Sequence, residues 1–277
     1  MTSSYSYVHG YQARESERLQ DQADVLAELL HSDTRYPPGS RVLEAGCGIG
    51  SQTVTLASRS PDAQFTSIDI SAHSLQRARH RVQSAGLCNV QFQQADLLAL
   101  PFEPQSFDHV FVCFVLEHLP DPLLALRHLH ELIRPGGSIT VIEGDHGSTL
   151  MHPHSDAAHE AIGCLIRLQA QAGGNALIGR ELHPLLAQAG FEAVTVSPRI
   201  AWADAGRPGW VDAFTRKTFI AMVEGVRDDA MTAGFITPER FDQGICDLHR
   251  TTQGDGTFCY SFFKACAHRA GDRSPPS

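Results

Sequence analysis

The chain has 277 residues, a net charge of −9 and seven cysteines. Its length allows one large domain or two small ones without disulfide staples, and the acidic balance with no basic run argues against a nucleic-acid partner, whose affinity comes from clustered Lys and Arg. The odd cysteine count and the lack of any C-x-x-C pair point to reduced thiols. No basic-then-apolar leader opens the sequence, and no apolar run approaches the ~20 residues that span a bilayer. The expectation is a cytoplasmic protein with no membrane partner.

Residues 1–37 read as a polar, aromatic lid followed by a helix. Tyr5, Tyr7, His9 and Tyr11 lie in the lid, and Leu19, Ala23, Leu26 and Leu30 follow at helical spacing. "RYPPGS" ends the helix. Strands and helices then alternate. "RVLEA" is a strand, and a helix runs from Ile49 to about Arg59. "QFTSIDI" is the next strand, and Ser71 caps a helix carrying Leu75, Ala78 and Val82. "NVQFQQAD" is a third strand. "FDHVFVCFVL" is apolar on both faces, as a buried central strand is. Asp121 and Pro122 make an N-cap with proline at the first helical position. That helix runs to "RPGG", and "SITVIE" is the fifth strand. The alternation predicts a parallel, doubly wound sheet with ligands at the carboxyl ends of its strands.

Helices follow around 155–172 and 180–189. "GFEAVTVSP" and "GTFCYSFFKACA" are the last two strands. Between them, residues 200–255 read as a helical insertion with Trp202, Trp210, Phe214, Phe219 and Met222. Thr237-Pro238 opens its second helix, on which Phe241, Ile245 and Leu248 lie. The insertion serves either as a substrate cap or as an oligomer interface. Residues 268–277 read as a disordered tail.

The chemistry concentrates in "VLEAGCGIGS". Gly46, Gly48 and Gly50 follow a strand and precede a helix, so the turn presents bare backbone to a ligand. The dinucleotide fingerprint G-x-G-x-x-G fails because Ser51 takes the third glycine's place. "VLEAGCGIGSQT", "SIDIS", "QADLLALPF", "FDHVFVCFVLEHLPDP" and "LIRPGGSITVIE" together resemble class I S-adenosylmethionine-dependent methyltransferases, in that family's small-molecule branch. The resemblance implies a Rossmann-like, doubly wound, seven-stranded sheet, mostly parallel with a reversed last strand, plus helical cap elements. The resemblance covers about residues 38–145 and a final strand at 257–267, and the cofactor-binding core is expected at 38–199 and 256–267.

The resemblance also assigns roles. Gly46, Cys47, Gly48 and Gly50 approach the ribose and methionine parts of S-adenosyl-L-methionine. Asp69 accepts from both ribose hydroxyls, and Ile70 packs on adenine. Asp96 takes the adenine amino group, and the Leu97 N–H meets a ring nitrogen. The carbonyl near Cys113 accepts from the methionine amine, and Glu44 helps hold the cationic end. Candidate bases lie on loops after strands four and five. They are His118, beside Glu117, and His146 in "EGDHGS", with Glu143 and Asp145 as substrate contacts. Tyr7, Tyr11, Trp210 and Phe214 are further substrate candidates. His146, His152, His154 and His159 lie close together without a metal-ligand frame, so no metal is expected.

The reading is therefore methyl transfer to O, N or C of a small organic molecule, by a monomer or homodimer. A protein or peptide methyltransferase and a non-catalytic cofactor-binding regulator are the alternatives.

Overall fold

The computed structural model describes residues 26–271. Tyr7 and Tyr11 of the expected lid lie outside that range. A helical stretch, α1, covers 26–31. Then come β1 (Arg41–Ala45), α2 (Ser51–Arg59), β2 (Gln64–Asp69), α3 (Ala72–Ser84), β3 (Val90–Gln94) and β4 (Phe107–Cys113). A 3-10 turn, Leu116–His118, leads to α4 (Pro122–Leu132) and β5 (Ile133–His152). α5 (Asp156–Gln171), α6 (Leu182–Gln188) and β6 (Glu192–Ala203) follow. The segment expected to be a helical insertion holds α7 (Pro208–Trp210), a π-helical run Val211–Ile220, α8 (Ala221–Glu224), α9 (Arg227–Thr232) and α10 (Pro238–Arg250). β7 (Thr257–His268) closes the chain.

The strands form one seven-stranded sheet in the order β3-β2-β1-β4-β5-β7-β6. β1 pairs in parallel with β2 and β4, β2 with β3, and β4 with β5. The last strand is reversed. Gly136 donates to the Arg269 carbonyl near the start of β5, and Ser148 bonds Ser261 near its end, so residue numbers rise along β5 as they fall along β7.

The described residues fall into two compact units. The first takes residues 30–143, 179–198 and 263–271. Its core is the strand set Val42, Leu43, Phe65, Ile68, Val110, Phe111, Val112, Val141 and Ile142, with Leu56, Leu75, Ala78, Leu126 and Leu129 from the helices. β4, the central strand between β1 and β5, is buried on both faces, as in a sheet covered by helices on both sides. The helix starts follow local chemistry. Ser71 accepts from the Ser74 N–H at α3, and Asp121 accepts from the Leu124 N–H before Pro122 at α4. A buried lysine, Lys264, satisfies its ammonium with Asp33, Thr34 and the Leu30 carbonyl.

The second unit takes residues 26–29, 144–178 and 199–262. Within it α10 lies along α5. Phe241, Gly244 and Leu248 are the buried face of α10, and a Cβ on Gly244 would run into the Ala157 backbone. Phe214 and Phe219 of the π-helical run pack on Phe258, Tyr260 and Phe262 of β7. Buried aromatic rings of this kind contribute roughly 1.5–3 kcal/mol each relative to exposure.

The structure differs from the sequence reading at one element that bears on the site. "EGDHGS" is strand, not loop, because β5 continues to His152. Its polar side chains are tolerated there because local backbone and β7 partners take them up. β6 likewise runs on to Ala203, past the expected start of the insertion. No helix among the described residues is long and apolar enough to cross a membrane.

Candidate active site

β1 ends at Ala45 and the chain turns at once. Gly46, Gly48 and Gly50 have φ of 77°, 52° and 80°, left-handed values that glycine adopts without a Cβ penalty. The Gly46 and Cys47 N–H groups both donate to the Ile68 carbonyl, at 2.9 and 2.8 Å, which ties the turn to the end of β2. At Gly46 a side chain would collide with Val115, and at Gly50 a Cβ would sit 2.9 Å from the Ala78 backbone. At Gly48 it would meet nothing within 4 Å. Gly46 and Gly50 are therefore packing glycines, whereas Gly48 faces open space.

Asp69 closes β2. Its Oδ2 accepts from the Gly48 N–H at 2.8 Å and its Oδ1 from the Ser71 N–H at 2.8 Å. Each oxygen keeps one further lone pair, the arrangement that receives two neighbouring hydroxyl donors. Burial pushes this carboxyl up, and the two N–H bonds pull it back. Ile70, next along, is 49% exposed. Asp96 follows β3. It accepts from the Leu98 N–H at 2.9 Å and through its carbonyl from Ala99, while Leu97 is buried. The Gln94 amide reaches the Ile70 carbonyl at 2.9 Å, so the ends of β2 and β3 meet.

Glu44 is buried in β1. Its Oε2 accepts from Thr53 at 2.7 Å and Ser67 at 2.6 Å, one hydroxyl on α2 and one on β2. Burial pushes the carboxyl up to about 7, the two hydroxyl bonds opposing the shift and the Asp69 charge adding to it. Cys113 ends β4 with a buried thiol held up by the same effect.

Phe114 then takes φ 56°, left-handed for a bulky residue. Val115 lies against Gly46, and the 3-10 turn carries Glu117 and His118. His118 Nε2 is 3.5 Å from Glu117 Oε1, with the His118 side chain 22% exposed. The Glu143 Oε1 accepts from the Val115 and Leu116 N–H groups at 2.9 and 2.8 Å. Glu143 therefore caps the turn.

One unit thus brings together Glu44, Gly46, Cys47, Gly48, Gly50, Asp69, Ile70, Asp96, Leu97, Cys113, Glu117, His118 and Glu143. The other unit holds the remaining described candidates. His146 Nδ1 lies 2.7 Å from the Tyr260 hydroxyl, deep among aromatic rings. Asp145 accepts from the Gly147 N–H at 3.0 Å. Phe214 is buried against Tyr260 and Phe262, and the half-buried Trp210 borders it with ring centroids 6.1 Å apart. Among the described residues no group of three or more His, Cys, Asp or Glu is placed to hold a metal ion.

Sequence reasoning missed Thr53 and Ser67, which hold Glu44, and saw Ser71 only as a helix cap, not as a backbone donor to Asp69. It also missed Val115, the reason Gly46 is glycine.

A mostly parallel sheet with a bare glycine turn after β1 and an acid closing β2 is Rossmann-like. The glycine turn and the two acids fit the class that the sequence resembles, the S-adenosylmethionine-dependent methyltransferases. The comparison with known families agrees: residues 37–190 match the methyltransferase domain, and the chain belongs to that family. It is 30% identical over 225 residues to the 27-O-demethylrifamycin SV methyltransferase of Amycolatopsis mediterranei (strain S699), covering 80% of this chain and 76% of that one. It is 32% identical over 124 residues to the demethylmenaquinone methyltransferase of Staphylococcus aureus (strain JH9), covering 44% of this chain and 51% of that one. That second match spans about half of each protein. Among solved structures, the cyclase SpnF superposes with a TM-score of 0.55 at 20% identity, over 96% of this chain and 86% of that one. That likeness concerns fold alone, and a shared fold does not fix the reaction.

Proposed function

We propose that this methyltransferase acts on a hydroxyl oxygen of a small organic molecule. The observation that carries the reading is the His118–Glu117 pair on the turn that abuts the glycine loop through Val115. An oxygen nucleophile must lose a proton as it is methylated, and an imidazole beside a carboxylate is a suitable acceptor. Extended likeness to an enzyme named for O-methylation of a rifamycin precursor supports the same chemistry.

S-adenosylmethionine, when bound, supplies an activated methyl group on sulfonium. The residues present fit it: Asp69 has lone pairs for two ribose hydroxyls, Ile70 offers an exposed apolar face for adenine, and Gly48 leaves room where a side chain would intrude. Asp96 and the Leu97 N–H take the adenine edge. The Cys113 carbonyl and the Gly46–Gly50 backbone would take the amino-acid end, with Glu44 bracing the strand beneath the loop. His118, beside Glu117, receives the acceptor's hydroxyl proton on its imidazole. Holding nucleophile and methyl in line supplies much of the barrier reduction, up to ~7–11 kcal/mol in ideal systems.

The test uses methyl-labelled cofactor with hydroxyl-bearing aromatic and polyketide acceptors and their matched deoxy analogues. Label appears only where the hydroxyl is present, and His118→Ala lowers turnover about a hundredfold with cofactor affinity retained. Label on the deoxy analogues, or unchanged turnover in His118→Ala, contradicts the reading.

A further inference from the structure

Glu143 is fully buried, and only one of its carboxyl oxygens is partnered. Oε1 takes two consecutive backbone N–H groups, from Val115 and Leu116. Oε2 has no hydrogen-bond partner. A buried carboxylate oxygen left bare is costly, whereas a neutral carboxylic acid in the same place loses far less. A second acid, Glu117, sits on the turn that Glu143 caps and is itself nearly buried, with His118 against it. Two carboxyls in one poorly solvated place do not both ionise.

We propose that Glu143 is a positioning residue that carries a proton on Oε2, leaving Glu117 as the ionised partner of His118. The proton belongs on Oε2 because Oε1 already accepts twice. Glu117 keeps the charge because its Oε1 faces an imidazole nitrogen. The other titratable groups facing Glu143 favour the same distribution. Glu117 and the Cys113 thiol are its acidic neighbours, and the thiol is held neutral by burial. Burial first, then the Glu117 charge, push the Glu143 carboxyl well up, against the pull of the Val115, Leu116 and Glu117 N–H groups. The same two Oε1 bonds hold the residues that follow the left-handed Phe114. A strained φ of this kind persists only where its surroundings over-determine it. Glu143 thus sets both the place of the His118–Glu117 pair and its charge, and its proton stays where it is through the reaction.

This inference rests on His118 as the base only for its catalytic consequence, so its first test does not need turnover. Infrared difference spectra of the whole protein at neutral pH, wild type minus Glu143→Gln, show a protonated-carboxyl C=O band. Absence of that band overturns the proposal. Glutamine is a neutral mimic whose amide oxygen accepts the same two N–H groups. In Glu143→Gln the acid limb of the pH profile of kcat/KM therefore stays in place, whereas a shift of more than about half a pH unit means Glu143 was ionised and overturns the assignment. Glu143→Leu, which removes the cap, lowers kcat at least about tenfold with cofactor affinity retained; unchanged kcat in a folded Glu143→Leu overturns the positioning role. A band that is present while no hydroxyl acceptor is methylated leaves Glu143 protonated and retires the O-methylation reading instead.

Discussion

The Oδ2 of Asp69 accepts the Gly48 N–H at 2.8 Å, so the acid that ends β2 directly braces the glycine turn that follows β1. Asp69 shapes the loop, and in the proposed site it also receives the ribose. Asp69→Ala removes both. The expected outcome is a loss of cofactor affinity of at least about tenfold, since a charge-assisted hydrogen bond contributes roughly 1.5–3 kcal/mol. Calorimetric titration of the variant checks this, and wild-type affinity refutes the role.

The three loop glycines separate by what surrounds them. Gly48→Ala meets no neighbour and incurs only left-handed strain, about 1–2 kcal/mol. Gly46→Ala incurs that strain and also drives a methyl into Val115, so its loss of stability is larger by roughly 1–3 kcal/mol. Denaturant unfolding of the two variants ranks them. Equal stabilities contradict the packing of Val115 on the loop.

Glu44 gives a pH signature. Its carboxyl is raised from an ordinary 4.5 to about 7, so the folded state binds the proton more tightly than the unfolded state. The linked stability is fully present below about 4.5 and is lost as pH rises through about 7. Its full size is on the order of 3 kcal/mol. Glu44→Gln keeps an oxygen for Thr53 and Ser67 but does not titrate. Measured across this window, the stability difference between wild type and Glu44→Gln moves in the variant's favour as pH rises. A difference that stays flat with pH rules out the buried ionisation.

Most of the first unit was legible in the sequence because its signals are local. Ser71, Asp121 and Pro122 mark helix starts by short-range chemistry, and the apolar run of β4 announces a strand covered on both faces. Gly46, Gly48, Gly50 and Asp69 were visible for the same reason. What was illegible depends on partners far along the chain. "EGDHGS" reads as a polar loop until β7, more than a hundred residues later, is laid beside it, with Tyr260 taking His146 and Ser261 taking Ser148. Glu143 looked like a substrate contact, yet its partners are backbone amides 28 and 27 residues away, a relation that no spacing rule reveals. The π-helical run and the close approach at Gly244 leave no periodic trace of their own.

Isothermal titration of the purified protein with S-adenosylhomocysteine, alongside S-adenosylmethionine and NADH, tests the central claim most directly. Saturable heat is predicted for the two sulfur nucleosides, sharply reduced in Asp69→Ala, and none for the dinucleotide. Silence with both sulfur nucleosides at millimolar concentration, from folded protein, contradicts the assignment of the site.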